Sequence, residues 1–167
     1  MEQSQEFEKK FETYADMIYR IGISYCGSAW MAEDVVQEVF LRFLKYTPSF
    51  ENTIHEKAWF IRVAVNCSKK QKTNAWGRKV VPVEELYETY GSFVSAIEGE
   101  NEEIILLKEQ LERLPSKYRL VLYLYYFEEY SVNEIAGMLQ IRPNTVSAWL
   151  SRARKKLKAF YLEQKQR

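Results

Sequence analysis

Apolar side chains recur every three or four residues through most of this chain, and that period predicts helices. Phe7, Phe11, Tyr14, Met17, Ile18, Ile21 and Tyr25 trace the first stripe. A second helix is predicted over Ala32 to Lys45, with Val36, Val39, Phe40, Phe43 and Leu44 facing inward. A third spans Glu56 to Lys72 and offers Ala58, Phe60, Ile61, Val63, Ala64 and Cys67 for packing. After a break the pattern resumes from Glu102 to Arg113 and stops before Leu114-Pro115. Lys117 to Phe127 is apolar on most sides, as the central helix of a small bundle is.

Two more helices close the chain. Val132, Ile135, Ala136 and Leu139 make one apolar face, and Ser131 with Glu134 three residues on has the form of a capping box. Gln140 and Ile141 make a turn, and Pro143 suits the first position of the next helix. There Val146, Leu150, Ala153 and Leu157 are the expected buried stripe. The other side carries Asn144, Thr145, Ser147, Ala148, Ser151, Arg152, Arg154, Lys155 and Lys158, short polar residues first and cations later. This is the pattern of a helix-turn-helix whose second helix reads base edges with its start and grips phosphates along its flank. The bland reading is an ordinary helix pair with a basic solvated face.

Composition agrees with an all-α chain. Six glycines and four prolines in 167 residues argue against a β-rich fold, and 47% hydrophobic content is ample for a core. No apolar run approaches the eighteen or so residues of a membrane helix. The start, MEQSQEFEKKFE, is acidic and polar, unlike a signal or transit peptide. Cys26 and Cys67 lack zinc-like spacing, so reduced, partly buried thiols and a cytoplasmic location are expected. No metal or cofactor is expected. Single His55 reads as a surface residue near a helix start, and no catalytic triad or phosphate-cradling loop appears, so the chain does not read as an enzyme.

Charge divides the chain where the helical pattern does. The net charge is only +1, yet Lys57 to Lys79 holds seven cations (Lys57, Arg62, Lys69, Lys70, Lys72, Arg78, Lys79) and no acid. Val80 to Glu103 holds seven acids (Glu84, Glu85, Glu88, Glu98, Glu100, Glu102, Glu103) and no cation. Arg142 to Arg167 holds eight cations against Glu163 alone. Two basic blocks imply two nucleic-acid contacts, because counterion release depends on local charge and not on the total. The expected architecture is two small helical bundles, residues 1–75 and 102–167. An acidic linker, 76–101, joins them and holds a short helix near Val83 to Tyr90.

Two faces of the first bundle carry candidate chemistry. On the second helix Glu33, Asp34, Gln37, Glu38 and Leu41 lie away from the core stripe. Such a face is more often solvated than bound; its functional reading is a docking site for another protein. On the third helix Trp59, Phe60 and Trp76 are mixed with Lys57, Arg62, Asn66, Lys69, Lys70, Gln71 and Lys72. That mixture suits single-stranded nucleic acid, in which bases stack on rings while the backbone follows the cations. The plainer reading puts Trp59 and Phe60 in the core, and at least one of them is expected there.

The order YRIGISYCGSAWMAEDVVQEVFLRFLK, then HEKAWFIRVAVN, then LPSKYRLVLYLYYFEEYSVNEIAGMLQIRPNTVSAWLSRARKKLK resembles bacterial RNA polymerase sigma factors of the extracytoplasmic-function type. The resemblance covers nearly the whole chain. It implies a first domain that binds core RNA polymerase and the −10 promoter element, and a second that reads the −35 element. By the same resemblance Asp34, Gln37, Glu38 and Leu41 fall on the polymerase-binding helix. Trp59, Arg62, Asn66, Lys69 and Lys70 fall in the −10 segment, with a flipped base trapped near Asn66 to Thr73. Asn144, Thr145, Ser147, Ala148, Ser151, Arg152, Arg154 and Lys155 fall on the −35 helix. The family also implies an inhibitory anti-sigma partner, often membrane-anchored.

The chain departs from the family pattern in places. Gln140 and Asn144 stand where members commonly carry glycine, and Ser147, Ala148 and Trp149 where a basic-serine-arginine run is frequent. Within CSKKQKTN the usual aspartate and arginine after Asn66 are replaced. The promoter sequence therefore does not carry over, and Trp149 is expected to pack against a neighbouring helix. The alternatives are a polymerase-independent helix-turn-helix regulator, which would bind operator DNA alone as a dimer, and an adaptor that never touches DNA.

Overall fold

A computed structural model describes residues 1–75 and 101–167, and the linker helix expected near Val83 to Tyr90 lies outside them. All regular structure among the described residues is helical, and the chain divides into two compact units. Unit one holds α1 (Glu2–Cys26), α2 (Ala29–Tyr46) and α3 (Thr53–Ala75). Each of these helices packs on the other two.

Local chemistry sets the ends of these helices. α1 stops at Gly27, whose left-handed backbone (φ 70°) lets its N–H donate to the Ile23 carbonyl at 2.9 Å. α3 begins three residues before the sequence predicts. The Asn52 side chain accepts from the His55 N–H at 2.9 Å and caps the turn that starts at Thr53. Gly22 lies where α1 crosses α2: a Cβ there would sit 3.0 Å from the Ala32 Cα.

Aromatic rings fill the space between the three helices. Phe60 is fully buried, and its ring meets Tyr14 at 4.4 Å, Trp59 at 5.0 Å, Phe43 at 5.6 Å and Phe40 at 5.7 Å between centroids. Glu56 fastens α3 to α1, accepting from the Tyr14 hydroxyl at 2.8 Å and the Lys10 ammonium at 2.6 Å. Two assignments to the apolar stripes need correction. Leu44 is 43% exposed, and Val35 takes the buried place on α2. Phe11 is also 43% exposed, although its ring packs 4.9 Å from Phe40. Both lie at the edge of an apolar arc wider than the core it covers.

Unit two holds α4 (Glu102–Arg113), α5 (Ser116–Leu122), α6 (Val132–Leu139) and α7 (Pro143–Lys165). The long α7 is its axis, with α4, α5 and α6 all packed against it. Near the far end of α7 the Arg113 guanidinium covers the Phe160 ring at 4.0 Å, and it lies 3.8 Å from Glu163. The predicted central helix is there, and Leu120, Val121 and Leu124 are buried at 2% exposure or less. It differs in two ways. Residues Tyr123–Phe127 widen into a π-helical turn, with the Glu128 N–H donating to the Tyr123 carbonyl at 3.2 Å. And Arg119 is buried among the apolar residues, its guanidinium donating to the Glu112 carbonyl at 3.2 Å.

The helix-turn-helix forms as its sequence signals predict. Ser131 and Glu134 cap each other's backbone N–H at 3.2 and 3.1 Å. Gln140 ends α6 in the left-handed region (φ 56°, ψ 44°), a conformation that costs a side-chain-bearing residue roughly 1–2 kcal/mol.

Substitutions at these backbone positions have opposite expected effects. Gly22→Ala should destabilise unit one by about 1–3 kcal/mol, since the crossing leaves no room. Gly137→Ala, with nothing within 4 Å of its added carbon, should stabilise unit two by about 0.5–1 kcal/mol, and Gln140→Gly by a similar amount. Denaturant midpoints of the three variants measure this; a neutral Gly22→Ala would contradict the tight α1–α2 crossing.

Candidate nucleic-acid interface

On α3 the 3.6-residue period gathers Trp59, Arg62, Asn66, Lys69 and Lys70 along one side, spaced by three or four residues. Arg62, Asn66 and Lys70 are exposed, and Lys69 and Trp59 half-buried. Trp59 is held edge-on by Phe50 at 5.9 Å, Phe43 at 6.3 Å and Phe60. Its ring is anchored in the core on one side, and only the remainder is available to a base. Phe60, the other ring named for this segment, is wholly core.

The segment after Asn66 is more structural than its composition reads. Cys67 and Ser68 are buried, and the Ser68 hydroxyl donates to the Ala64 carbonyl at 2.7 Å. The Thr73 hydroxyl donates to the Lys69 carbonyl at 2.9 Å. The Lys72 ammonium lies over the Tyr25 ring at 5.1 Å, drawn to α1. Burial pushes the Cys26 thiol up to about 12, against the opposing pull of Lys72 and a hydrogen bond to Ser68. That thiol therefore stays protonated and unreactive at neutral pH.

The outer side of α2 presents Glu33 and Gln37 exposed, and Asp34 and Glu38 half-buried. Leu41 is 61% exposed. The Arg42 side chain donates to the Glu38 carboxylate at 2.9 Å, so that carboxylate is tethered to its own helix. Beside this face a groove of about 740 Å³ runs between α1 and α2, lined by Phe7, Phe11, Val36, Gln37, Phe40, Leu41 and Leu44 among others. Sequence reasoning assigned Phe7, Phe11 and Leu44 to the core and so missed this groove. The two-sidedness of the apolar stripe was the available signal.

On α7, at 100° per residue, Asn144, Thr145, Ala148, Ser151, Arg152 and Lys155 fall within an arc of roughly 120° opposite the buried Val146, Leu150 and Ala153. Asn144, Ser151, Arg152 and Lys155 are exposed, and Thr145 and Ala148 half-buried. Ser147 is exposed just beyond this arc. The structure does not bring Arg154 to it. At 100° per residue Arg154 lies about 60° beyond the arc's nearest member, Ser151, and about 20° past Ser147. Its Nε donates to the Tyr126 hydroxyl at 2.8 Å. Trp149 is half-buried on the other flank, with the Lys117 ammonium 5.3 Å from its ring centroid. No side chain caps the start of α7, so backbone N–H groups are presented there for an anion.

Among the described residues no group of three acidic, histidine or cysteine side chains could hold a metal ion, and no helix is long and apolar enough to cross a membrane.

Comparison with known proteins finds two family matches along the chain. The sigma-70 region 2 model matches residues 11–78, and the sigma-70 region 4 model residues 104–157. The chain is similar to three RNA polymerase sigma factors of Bacillus subtilis strain 168. It is 29% identical to the extracytoplasmic-function factor SigW over 157 residues, 88% of this chain and 84% of the relative. It is 28% identical to the extracytoplasmic-function factor SigM over 159 residues, 90% and 92%. It is 30% identical to SigV over 141 residues, 82% and 80%. Among solved structures it shares its fold with the sigma factor RpoE of Bartonella quintana, determined in complex with the anti-sigma factor NepR. The TM-score there is 0.64, with 19% identity and coverage of 94% of this chain and 97% of that one.

If the α7 arc meets duplex DNA with Arg152 gripping a phosphate, Arg152→Ala should lower the slope of log affinity against log salt by about 1, as one lost phosphate contact does. Titration of the variant and the unaltered chain at several salt concentrations measures it, and an unchanged slope would remove Arg152 from the phosphate contacts.

Proposed function

The chain belongs to the sigma-70 family, as a sigma factor of the extracytoplasmic-function type, and from that footing we propose how its two units divide transcription initiation between them. Residues 1–75 hold core RNA polymerase and recognise the −10 element. Residues 102–167 recognise the −35 element, and 76–101 join the two. Asp34, Gln37, Glu38 and Leu41 on α2 meet the polymerase. Trp59, Arg62, Asn66, Lys69 and Lys70 on α3 meet the −10 strand. The outward arc of α7 reads the −35 duplex, with Ser147 at its edge.

One observation carries the reading: a single arc of α7 collects short polar residues at its start and Arg152 and Lys155 further on, opposite a buried stripe. A helix entering the major groove needs that order, base-reading groups at the tip and phosphate-gripping cations along the flank. The α3 row supports the second contact. It sets an anchored ring among exposed cations and amides, as a single-strand platform requires.

Magnitudes fix the division of labour with the polymerase. Opening about 12 base steps costs on the order of 17 kcal/mol at roughly 1.4 kcal/mol per step. Capturing one or two unstacked bases returns about 1–3 kcal/mol each. The chain thus chooses where opening begins, and the polymerase holds the bubble. It acts as a specificity subunit in the cytoplasm and not as an enzyme. An anti-sigma partner is part of the proposal, supported by the fold neighbour solved with one.

Asp34→Lys tests the docking face. Asp34 stands half-exposed on the outer side of α2, so its replacement should leave thermal unfolding unchanged within a few degrees. Affinity for core polymerase should fall about tenfold or more, for loss of a charge contact at an interface. Undiminished affinity would take α2 out of the contact. Run-off transcription with core polymerase on a genomic library tests the activity itself and returns the promoter sequence.

A further inference from the structure

We propose that Arg154 is a positioning residue of the DNA-reading helix: it acts through Tyr126 and touches no DNA. The proposal rests on α7 being that helix.

The geometry around Arg154 is specific. Its Nε donates to the Tyr126 hydroxyl at 2.8 Å, a bond across 28 residues of chain. Its guanidinium lies 5.5 Å from the Tyr125 ring centroid and 5.6 Å from that of Tyr126. Those two rings meet edge to face at 4.9 Å and 80°, so they form a corner that receives the cation on both walls.

The corner is itself fixed. Tyr125 and Tyr126 stand in the π-helical turn, whose wider circumference displaces them from the track they would follow in α5. The turn is closed from beyond by the Tyr130 N–H donating to the Leu124 carbonyl at 3.0 Å, and by the Tyr123 hydroxyl donating to Glu128 at 2.7 Å. Arg154 therefore binds to a braced element.

Its place on α7 gives the contact its purpose. Arg154 sits on one flank of the buried stripe, and Trp149, beneath Lys117, on the other. The stripe of Val146, Leu150 and Ala153 fixes which side of α7 faces the unit, but apolar contacts are non-directional and leave the last few degrees of roll unset. The Arg154–Tyr126 hydrogen bond on one flank is directional and sets that roll, and the Lys117 ammonium over the Trp149 ring stands on the other. A roll of about 10° moves side-chain tips some 5–6 Å from the axis by about 1 Å. That exceeds the roughly 0.5 Å within which a reading group must be held. Both Arg154 and Tyr126 are exposed, so their bond adds little stability, and orientation is what it provides.

The test uses the full chain bound to core polymerase. It selects from a pool of random-sequence duplexes, and enrichment of the preferred −35 sequence over the pool is read by sequencing. Tyr126→Phe keeps the Arg154 charge and removes only its acceptor. It should lower enrichment about two- to fivefold, the most that an exposed contact of this kind contributes. Arg154→Ala should lower it about as much, and the double variant no further than Arg154→Ala alone, since both break one interaction. The salt slope on the unselected pool should stay unchanged in all three, while Arg152→Ala reduces it by about 1.

A normal enrichment with Tyr126→Phe overturns the proposal, as does a salt slope that falls with Arg154→Ala. A fall in melting temperature with enrichment retained also overturns it, because the contact is then structural only. If the unaltered chain enriches no upstream sequence, the reading of α7 fails first and takes the proposal with it.

Discussion

The packing of Phe60 is the constraint on which unit one depends. Its ring reaches α1 through Tyr14 and α2 through Phe40 and Phe43, from a place on α3 with no exposure to solvent. Truncating such a ring typically costs about 3–5 kcal/mol. A unit of 75 residues has a margin of only about 4–11 kcal/mol, at roughly 0.05–0.15 kcal/mol per residue. One ring therefore accounts for much of the stability available. It also sets the roll of α3. With Phe60 pointing in, Arg62, Asn66 and Lys70 must point out, and Trp59 beside it is caught at the boundary. The proposed interface on α3 is thus the reverse side of the core.

Unit two solves the same problem differently. Its members converge on α7, which is both the structural axis and the proposed reading element, and its largest buried ring, Tyr123, stands on the π-helical turn. Packing and recognition therefore share one helix, on opposite sides. The buried Val146, Leu150 and Ala153 leave little freedom in which residues face away. In both units the apolar side is chosen by burial, and the charged side follows as its complement.

How far the sequence could be read depended on whether the signal was local. The capping box at Ser131 and Glu134, the break at Leu114-Pro115 and the proline opening α7 all act within one helical turn, and each was legible. The early start of α3 was not, because Asn52 resembles any loop asparagine until its side chain is seen to accept from His55. Leu44 and Phe11 were misplaced because periodicity gives the direction of an apolar arc and not the width of the partner covering it. The π-helical turn left no sequence mark at all: a helix pattern continues through Tyr123 to Phe127. Arg154 was grouped with Arg152 because a run of cations is read as one block. Two residues along a helix is more than half a turn, and the tyrosine that claims Arg154 lies 28 positions earlier.

The clasp of Arg113 on Phe160 has a mechanical consequence. It grips α7 near one tip, while Thr145 stands at the other, about 22 Å away at 1.5 Å per residue. The buried Val146, Leu150 and Ala153 hold the first half of α7 against the unit, so its two ends are secured by different chemistry: apolar burial at one, an exposed cation on a ring at the other. Loosening the Arg113 clasp therefore frees the last turns of α7 while the packed half keeps its place.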